Sequence, residues 1–203
     1  MSFFEGVYRQ GRPPWDIGRP QGAVLELIAA GALRPPVLDL GCGTGENALA
    51  CAASGLAVRG IDGAPTAIER ARDKAKARDL AAQFDVGDAL ALEVPSGSVA
   101  TVLDCGLFHT FDDADRLRYS ASLHRVLRPR GRAYILCFSD SEPNWGGPRR
   151  VPASEIGPVF GDRFAVAEIV PSRFETNDPA ITGHALRIRL DRRAGPPARK
   201  SPK

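Results

Sequence analysis

Short apolar runs alternate along this chain with stretches in which apolar residues recur every three or four positions. The runs at 36–40 (PVLDL), 57–62 (AVRGID), 83–88 (QFDVGD), 99–104 (VATVLD) and 133–138 (AYILCF) are bounded by Gly, Asp and Pro and predict buried parallel strands. Helical periodicity falls between them. Pro20 suits a first helical turn and Gly31 an end, with Leu25, Ile28, Ala29 and Ala32 predicted to form one apolar face. A second helix is expected from about Gly45 to Ser54, and a third over 65–80 with Ile68, Ala71 and Ala75 inward. Asp112 or Asp113 is placed to cap a fourth, in which Tyr119, Leu123, Val126 and Leu127 share a face, and Pro129-Arg130-Gly131 reads as the turn that stops it. Residues 163–170 and 184–191 predict two more strands, and HALRIRLD alternates as an antiparallel or edge strand does. The fold class that follows is α/β, a Rossmann-like doubly wound sheet with helices on both faces.

Length and charge narrow the picture. The 203 residues suit one domain over 1–193, with 1–19 as a lead segment and 194–203 as a basic disordered tail. Arg199, Lys200 and Lys203 account for the whole net charge of +3, so the rest is neutral, which argues against a broad nucleic-acid-binding face. No apolar run approaches the ~20 residues of a membrane helix, and the first residues lack the features of a signal peptide, so a cytoplasmic protein is expected. Cys42, Cys51, Cys105 and Cys137 show no CxxC spacing and only three histidines accompany them; reduced thiols and no metal site are expected.

The chemistry concentrates in VLDLGCGTGEN, residues 37–47. An apolar strand runs into Gly41, Gly43 and Gly45 and a helix follows, an arrangement that brings backbone N–H groups against a ligand. Asp39 precedes the first glycine, Asp62 ends the second strand and Asp88 ends the third. Parallel strands present their C-terminal ends to one crevice, so the three acids converge there. A nicotinamide dinucleotide site is the nearest competitor, because Gly43, Gly45 and Ala48 fit GxGxxA. Asp39 argues against it, since a carboxylate there repels a pyrophosphate and favours a cationic, amine-bearing ligand.

VLDLGCGTGEN, GIDGAPTAIERAR, FDVGDAL and HRVLRPRGRAYIL resemble successive motifs of the class I S-adenosylmethionine-dependent methyltransferases over about residues 20–140. The resemblance implies a seven-stranded sheet, mostly parallel with an antiparallel last strand. It implies S-adenosylmethionine as cofactor, S-adenosylhomocysteine as its product, and no metal. It implies Asp39, Gly41, Cys42 and Gly43 around the methionine part, Asp62 on the ribose, Gly63 and Ala64 flanking the adenine, and Asp88 and Ala89 at its amino edge. Asp104 and Cys105, at the end of the fourth strand, complete the implied cofactor set.

The lead PPWDIGRP resembles that of small-molecule methyltransferases of the thiopurine, tellurite and mycobacterial heterocyclic-toxin or quinone type, which implies a lid and a cofactor contact for Trp15; a packing anchor is the alternative. The stretch LDCGLFHTF lacks the Asn/Asp-Pro-Pro-aromatic motif of enzymes that methylate amide or base nitrogens. Phe108, His109 and Phe111 instead suit a flat aromatic acceptor, with Tyr8 and Trp145 as further pocket candidates. His109 is the candidate catalytic base for a weakly acidic acceptor, against the alternative of a hydrogen-bonded wall residue. The expectation is methyl transfer to O, N or S of a small aromatic or heterocyclic molecule by a monomer or homodimer, without nucleic-acid or membrane partners. The rivals are an RNA methyltransferase anchored by the basic tail and a non-catalytic S-adenosylmethionine-binding module.

Overall fold

The structure, a computed structural model, describes residues 3–194; Ala194 apart, the expected basic tail lies outside the described residues. In chain order the elements are α1 Phe3–Gln10, α2 Gly22–Ala29, β1 Val37–Leu40, α3 Glu46–Ala53, β2 Val58–Asp62, α4 Pro65–Ala77, β3 Ala82–Val86, β4 Val99–Cys105, α5 Asp113–Val126, β5 Leu127–Phe138, α6 Ile156–Phe160, β6 Phe164–Arg173 and β7 His184–Arg192. The strands form one seven-stranded sheet in the order β3-β2-β1-β4-β5-β7-β6. The first five pair in parallel, and β7 runs antiparallel to both neighbours. No helix among the described residues is long and apolar enough to cross a membrane.

Alternation along the strands gives the sheet two apolar faces. Leu38, Val102, Ile135 and Ile188 pack with α5 and α6, whereas Val37, Val58, Leu103 and Tyr134 pack with α2, α3 and α4. The chain winds outward from β1 to β3, then returns to place β4 on the other side of β1. That reversal opens a crevice beyond the C-terminal ends of β1 and β4.

Two expectations need correction. In α2 the buried residues are Ala23, Val24 and Leu27; of the predicted face Ile28 and Ala32 pack partly buried on the core, whereas Leu25, 45% exposed, and Ala29 face outward. GAVLELIA is apolar almost throughout, and such a segment carries little phase information. Pro129-Arg130-Gly131 is no turn between elements. α5 passes directly into β5, and Arg130 takes φ +63° within an irregularity where the pairing with β4 shifts. The α5 cap is as predicted, with the Asp115 N–H donating to Asp112 at 2.8 Å.

Asp104 at the end of β4 organises the loop that follows. Its carboxylate accepts from Leu107 N–H (2.9 Å), Phe108 N–H (3.3 Å) and the Tyr119 hydroxyl (2.7 Å), all out of water. Removing one donor from a buried carboxylate costs about 1–3 kcal/mol. Tyr119→Phe should therefore lower unfolding stability by about that amount, measured by urea denaturation. Tyr134→Phe is the control, because its hydroxyl reaches the Ala32 carbonyl only at 3.5 Å. Equal losses for the two variants would contradict this role for Asp104.

Candidate active site

The loop from β1 to α3 fixes the floor of the crevice. Gly41 and Gly43 adopt φ +65° and +53°, conformations that L side chains rarely take. A Cβ on Gly43 would lie 2.7 Å from the Tyr8 hydroxyl, so the lead segment closes directly over this turn. Asp62, the last residue of β2, holds the loop in place. One carboxylate oxygen accepts the Gly43 N–H and the other the Ala64 N–H, both at 2.8 Å. Burial raises its pKa, and these two donors partly offset the rise.

Residues 11–21 roof the crevice between two anchors. On one side Glu5 accepts from the Thr66 N–H (3.0 Å) and hydroxyl (2.8 Å), capping α4 from another helix. Arg70 of α4 returns hydrogen bonds to the Tyr8 and Gly11 carbonyls, each 2.8 Å, at the C-terminus of α1. On the other side Gln21 and Glu175 exchange side-chain-to-backbone hydrogen bonds at 2.8 Å, and the Asn177 N–H donates to the Pro14 carbonyl. Between the anchors the Trp15 indole N–H donates to the Tyr8 hydroxyl at 3.0 Å.

Beneath this roof lies a cavity of about 1290 Å³. A pocket for one small ligand usually holds ~300–1,000 Å³, so there is room for two ligands side by side. The predicted residues Tyr8, Trp15, Gly41, Cys42, Gly43 and Asp62 lie on its wall, as do Gly63, Asp88, Ala89 and Cys105. His109, Phe111 and Trp145 complete the predicted set that the fold brings together.

Four predicted residues lie behind the wall. Asp39, Ala64, Asp104 and Phe108 are fully or almost fully buried and do not line the cavity. Phe108 faces the core, stacked on Tyr119 and tilted on Phe160, because the 3-10 turn Phe108–Thr110 turns it inward. Asp39 is the least expected. Neither of its oxygens has a well-formed hydrogen bond, and the Ala48 N–H offsets its burial only in part. Burial, then the charges of Asp104 and Asp62, push its pKa up to about 8, and burial likewise lifts Asp104 to about 6.

His109 stands where the sequence put it, yet its chemistry differs from that of a base. It is 3% exposed, and its Nδ1 accepts the Phe138 N–H at 3.1 Å. A neutral imidazole has one lone pair for accepting a proton, and here that pair is engaged. Burial, then the charges of Arg150 and Arg116, lower its pKa to about 3. This geometry favours the wall-residue reading of His109 over the base.

The cavity also meets aromatic residues that the sequence reading missed. His109 stacks on Phe138 (4.9 Å between centroids), Phe138 packs on Phe174 (5.0 Å), and Trp145 meets Phe138 edge-on (5.5 Å). Phe174 lies just after β6 and reaches the site through long-range pairing with β7, which no local signal reveals. Glu142 was missed as well. This buried carboxylate holds the Trp145 indole N–H at 2.8 Å and also accepts from Thr182 and His184. Arg149 is engaged by Asp113 and Glu155, and Arg150 by the Pro143, Gly146 and Pro148 carbonyls while lying over Trp145. Among the described residues no cluster of His, Cys, Asp or Glu is arranged to hold a metal ion.

Comparison with known proteins agrees with this geometry. The methyltransferase-domain family matches residues 37–131. The 2-heptyl-1-hydroxyquinolin-4(1H)-one methyltransferase of Mycobacteroides abscessus is 35% identical over 187 residues, spanning 87% of this chain and 82% of that one. A solved structure concerned with conversion of a disulfide bond into a thioacetal group during echinomycin biosynthesis is 37% identical, with a TM-score of 0.86, covering 93% of this chain and 91% of that one. The 1,6-didemethyltoxoflavin-N1-methyltransferase of Burkholderia thailandensis, solved with its substrate and S-adenosylhomocysteine bound, shares the fold at 20% identity, with a TM-score of 0.68 over 85% of this chain and 77% of that one.

The buried Asp39 gives a pH-dependent prediction. An acid whose pKa is raised by folding binds its proton more tightly in the folded state, so stability falls as pH rises from the unfolded value near 4 through about 8. Asp39→Asn removes that loss. In cofactor-free protein its urea midpoint should gain on the wild type at about pH 8 and gain little at about pH 5. The same difference at both pH values would contradict the placement of this charge.

Proposed function

This chain belongs to the S-adenosylmethionine-dependent methyltransferases, and within that family we propose that it methylates O, N or S of a small aromatic or heterocyclic acceptor. One observation carries the reading: a single cavity joins a carboxylate-rich end at the glycine loop to an aromatic end around Phe138, Phe174 and Trp145. Flat rings bind well against such a wall, and offset or edge-on contacts add about 0.5–1.5 kcal/mol per pair beyond area burial. The relatives named above for a hydroxyquinolone and a toxoflavin precursor point to the same acceptor class.

The residues at the glycine loop fit S-adenosylmethionine. Asp39, Asp62 and Asp104 cluster there, and Lys74 and Arg78, which reach the loop from α4 and its C-terminus, are engaged by Glu46 at 2.8 Å each. Glu46 also occupies the first turn of α3, where a pyrophosphate would otherwise meet the helix. A cationic amino-acid nucleoside suits this surplus of carboxylate; a dinucleotide does not. We assign Asp62 to the ribose hydroxyls, through the lone pairs left by its two backbone donors. Gly63 and Ala89 would flank the adenine, with Asp88 at its amino group and Trp15 over the cofactor. Gly41, Cys42, Gly43 and Cys105 would contact the methionine part, with Asp39 buried behind them.

When bound, the cofactor supplies a methyl group activated by its attachment to a sulfonium. The chain's own contribution is orientation and exclusion of water. Within a domain over 1–193, Tyr8, Trp15 and α1 serve as the lid, the role expected for 1–19. Phe111, His109 and Trp145 bound the acceptor. All these groups come from one chain, so a monomer and a homodimer serve equally. Four free cysteines, three of them buried, suit a reducing, cytoplasmic compartment. The basic tail on which an RNA acceptor would depend lies outside the described residues, and the relatives' named acceptors favour the small-molecule reading.

Incubation with methyl-labelled S-adenosylmethionine and a panel of phenols, hydroxylated N-heterocycles and thiols should yield labelled product. Tight cofactor binding with no product from any acceptor would support the non-catalytic module instead. Asp62→Ala should weaken cofactor binding by about 1–3 kcal/mol in calorimetry, the usual loss for a hydrogen bond to a charged group. Unchanged affinity would remove Asp62 from the site.

A further inference from the structure

We propose that Glu142 is a positioning residue of the acceptor site: its carboxylate ties the Trp145 indole and the segment carrying Ile181 into one wall, against which a flat acceptor ring binds. The proposal rests on the methyl-transfer reading and names a residue that serves its selectivity. Glu142 does not line the cavity itself and acts through its partners.

The loop after β5 is an unusual place for a buried charge. Of residues 141–150 Glu142 alone is buried, while the large apolar indole of Trp145 is only half-buried. Burial favours the neutral acid, yet hydrogen bonds from Thr182, Trp145 and His184 outweigh it and hold the carboxyl below its ordinary pKa. One oxygen accepts the Trp145 indole N–H (2.8 Å) and the Thr182 N–H (3.0 Å). The other accepts the Thr182 hydroxyl and the His184 N–H, both at 2.6 Å. Trp145 is a near neighbour in sequence, whereas Thr182 and His184 lie 40 and 42 positions away.

Such a group is poorly explained as a source of stability. An apolar side chain of similar volume would fill the same space without desolvating a charge, and exchanges of that kind are often neutral or stabilising. What a carboxylate adds is direction. Four donors must each meet a lone pair, so the indole and residues 182–184 take fixed places relative to one another.

Both arms of this network reach the cavity. Trp145 and Ile181 line it, and both pack on the cluster that contains Phe138 and Phe174. The Phe174 N–H donates to the Gly183 carbonyl at 2.8 Å and closes the loop 174–183 at its neck, so a hold on Thr182 is also a hold on Phe174. Arg150 lies 4.2 Å from the Trp145 ring centroid, a contact that holds the plane of the indole but not its rotation within that plane. The N–H on Glu142 fixes the rotation. None of the donors to Glu142 belongs to the residues assigned to the cofactor, so its effect falls on the acceptor end.

The test separates position from stability. In Trp15→Phe protein Trp145 is the sole tryptophan, and its emission reports its own surroundings. Adding Glu142→Ala should shift that emission to longer wavelength and make acrylamide quench it more steeply. In the chain with Trp15 intact, calorimetry follows 8-hydroxyquinoline, a flat bicyclic probe, in the presence of S-adenosylhomocysteine. Glu142→Ala should weaken probe binding at least about tenfold, the scale of one lost hydrogen bond to a charged group. Affinity for S-adenosylhomocysteine should stay within about twofold, as for a site with no shared partners. Glu142→Gln keeps the volume but offers one acceptor oxygen to four donors, and should fall between the wild type and Glu142→Ala on both readouts. It carries the test alone where circular dichroism shows the Glu142→Ala chain unfolded. Unchanged Trp145 emission in a folded variant, equal losses of probe and cofactor affinity, or failure of the wild type to bind the probe would overturn the proposal. These measurements need no turnover. The expected shifts without methylated product on adding S-adenosylmethionine would count against methyl transfer and uphold the positioning role of Glu142.

Discussion

Two backbone N–H groups, those of Gly43 and Ala64, converge on the single carboxylate of Asp62, and the site depends on that convergence. The bond to Gly43 ties the loop after β1 to the end of β2; the bond to Ala64 shapes the turn into α4. Both loops are thereby held open at the edge where β1 and β4 part. The neighbouring loop after β4 is fixed in the same manner by Asp104, which gathers Leu107, Phe108 and Tyr119. Two strand-end carboxylates thus set the shape of the whole cofactor end, one of them from behind the cavity wall.

The charge that builds this frame also selects its occupant. Asp39, Asp62 and Asp104 stand close enough to raise one another's proton affinity or to have it raised by burial. A second anion brought to this surface meets repulsion in a medium that screens little. A sulfonium and an ammonium meet attraction. At the opposite end Arg116 and Arg149 are paired with Asp113 and Glu155. The aromatic residues Phe138, Phe174 and Trp145 at that end keep its dielectric low.

Much of the frame was legible in the sequence. Strands β1, β2 and β4, the inward face of α4 and the Asp112 cap all rest on local patterns of apolar spacing and capping chemistry. The glycine loop and its acids were legible because parallel strands share one functional edge. What escaped depended on contacts between distant segments. The role of His109 turns on a backbone N–H at Phe138, which arrives only when β5 pairs with β4. Phe174 enters through the pairing of β6 with β7. Which of Phe108 and Phe111 faces the cavity is decided by one 3-10 turn held by Asp104. The face of α2 was misread because Leu25 lies in a segment with almost no polar residue to set its phase.

The central claim is that the crevice is shaped for a cationic amino-acid nucleoside and not for a dinucleotide. Isothermal calorimetry with the purified chain tests it most directly, titrating S-adenosylmethionine and NADH in separate runs at low ionic strength. The account predicts saturable, one-to-one heat with S-adenosylmethionine and none with NADH. Saturable binding of NADH with no response to S-adenosylmethionine would contradict it.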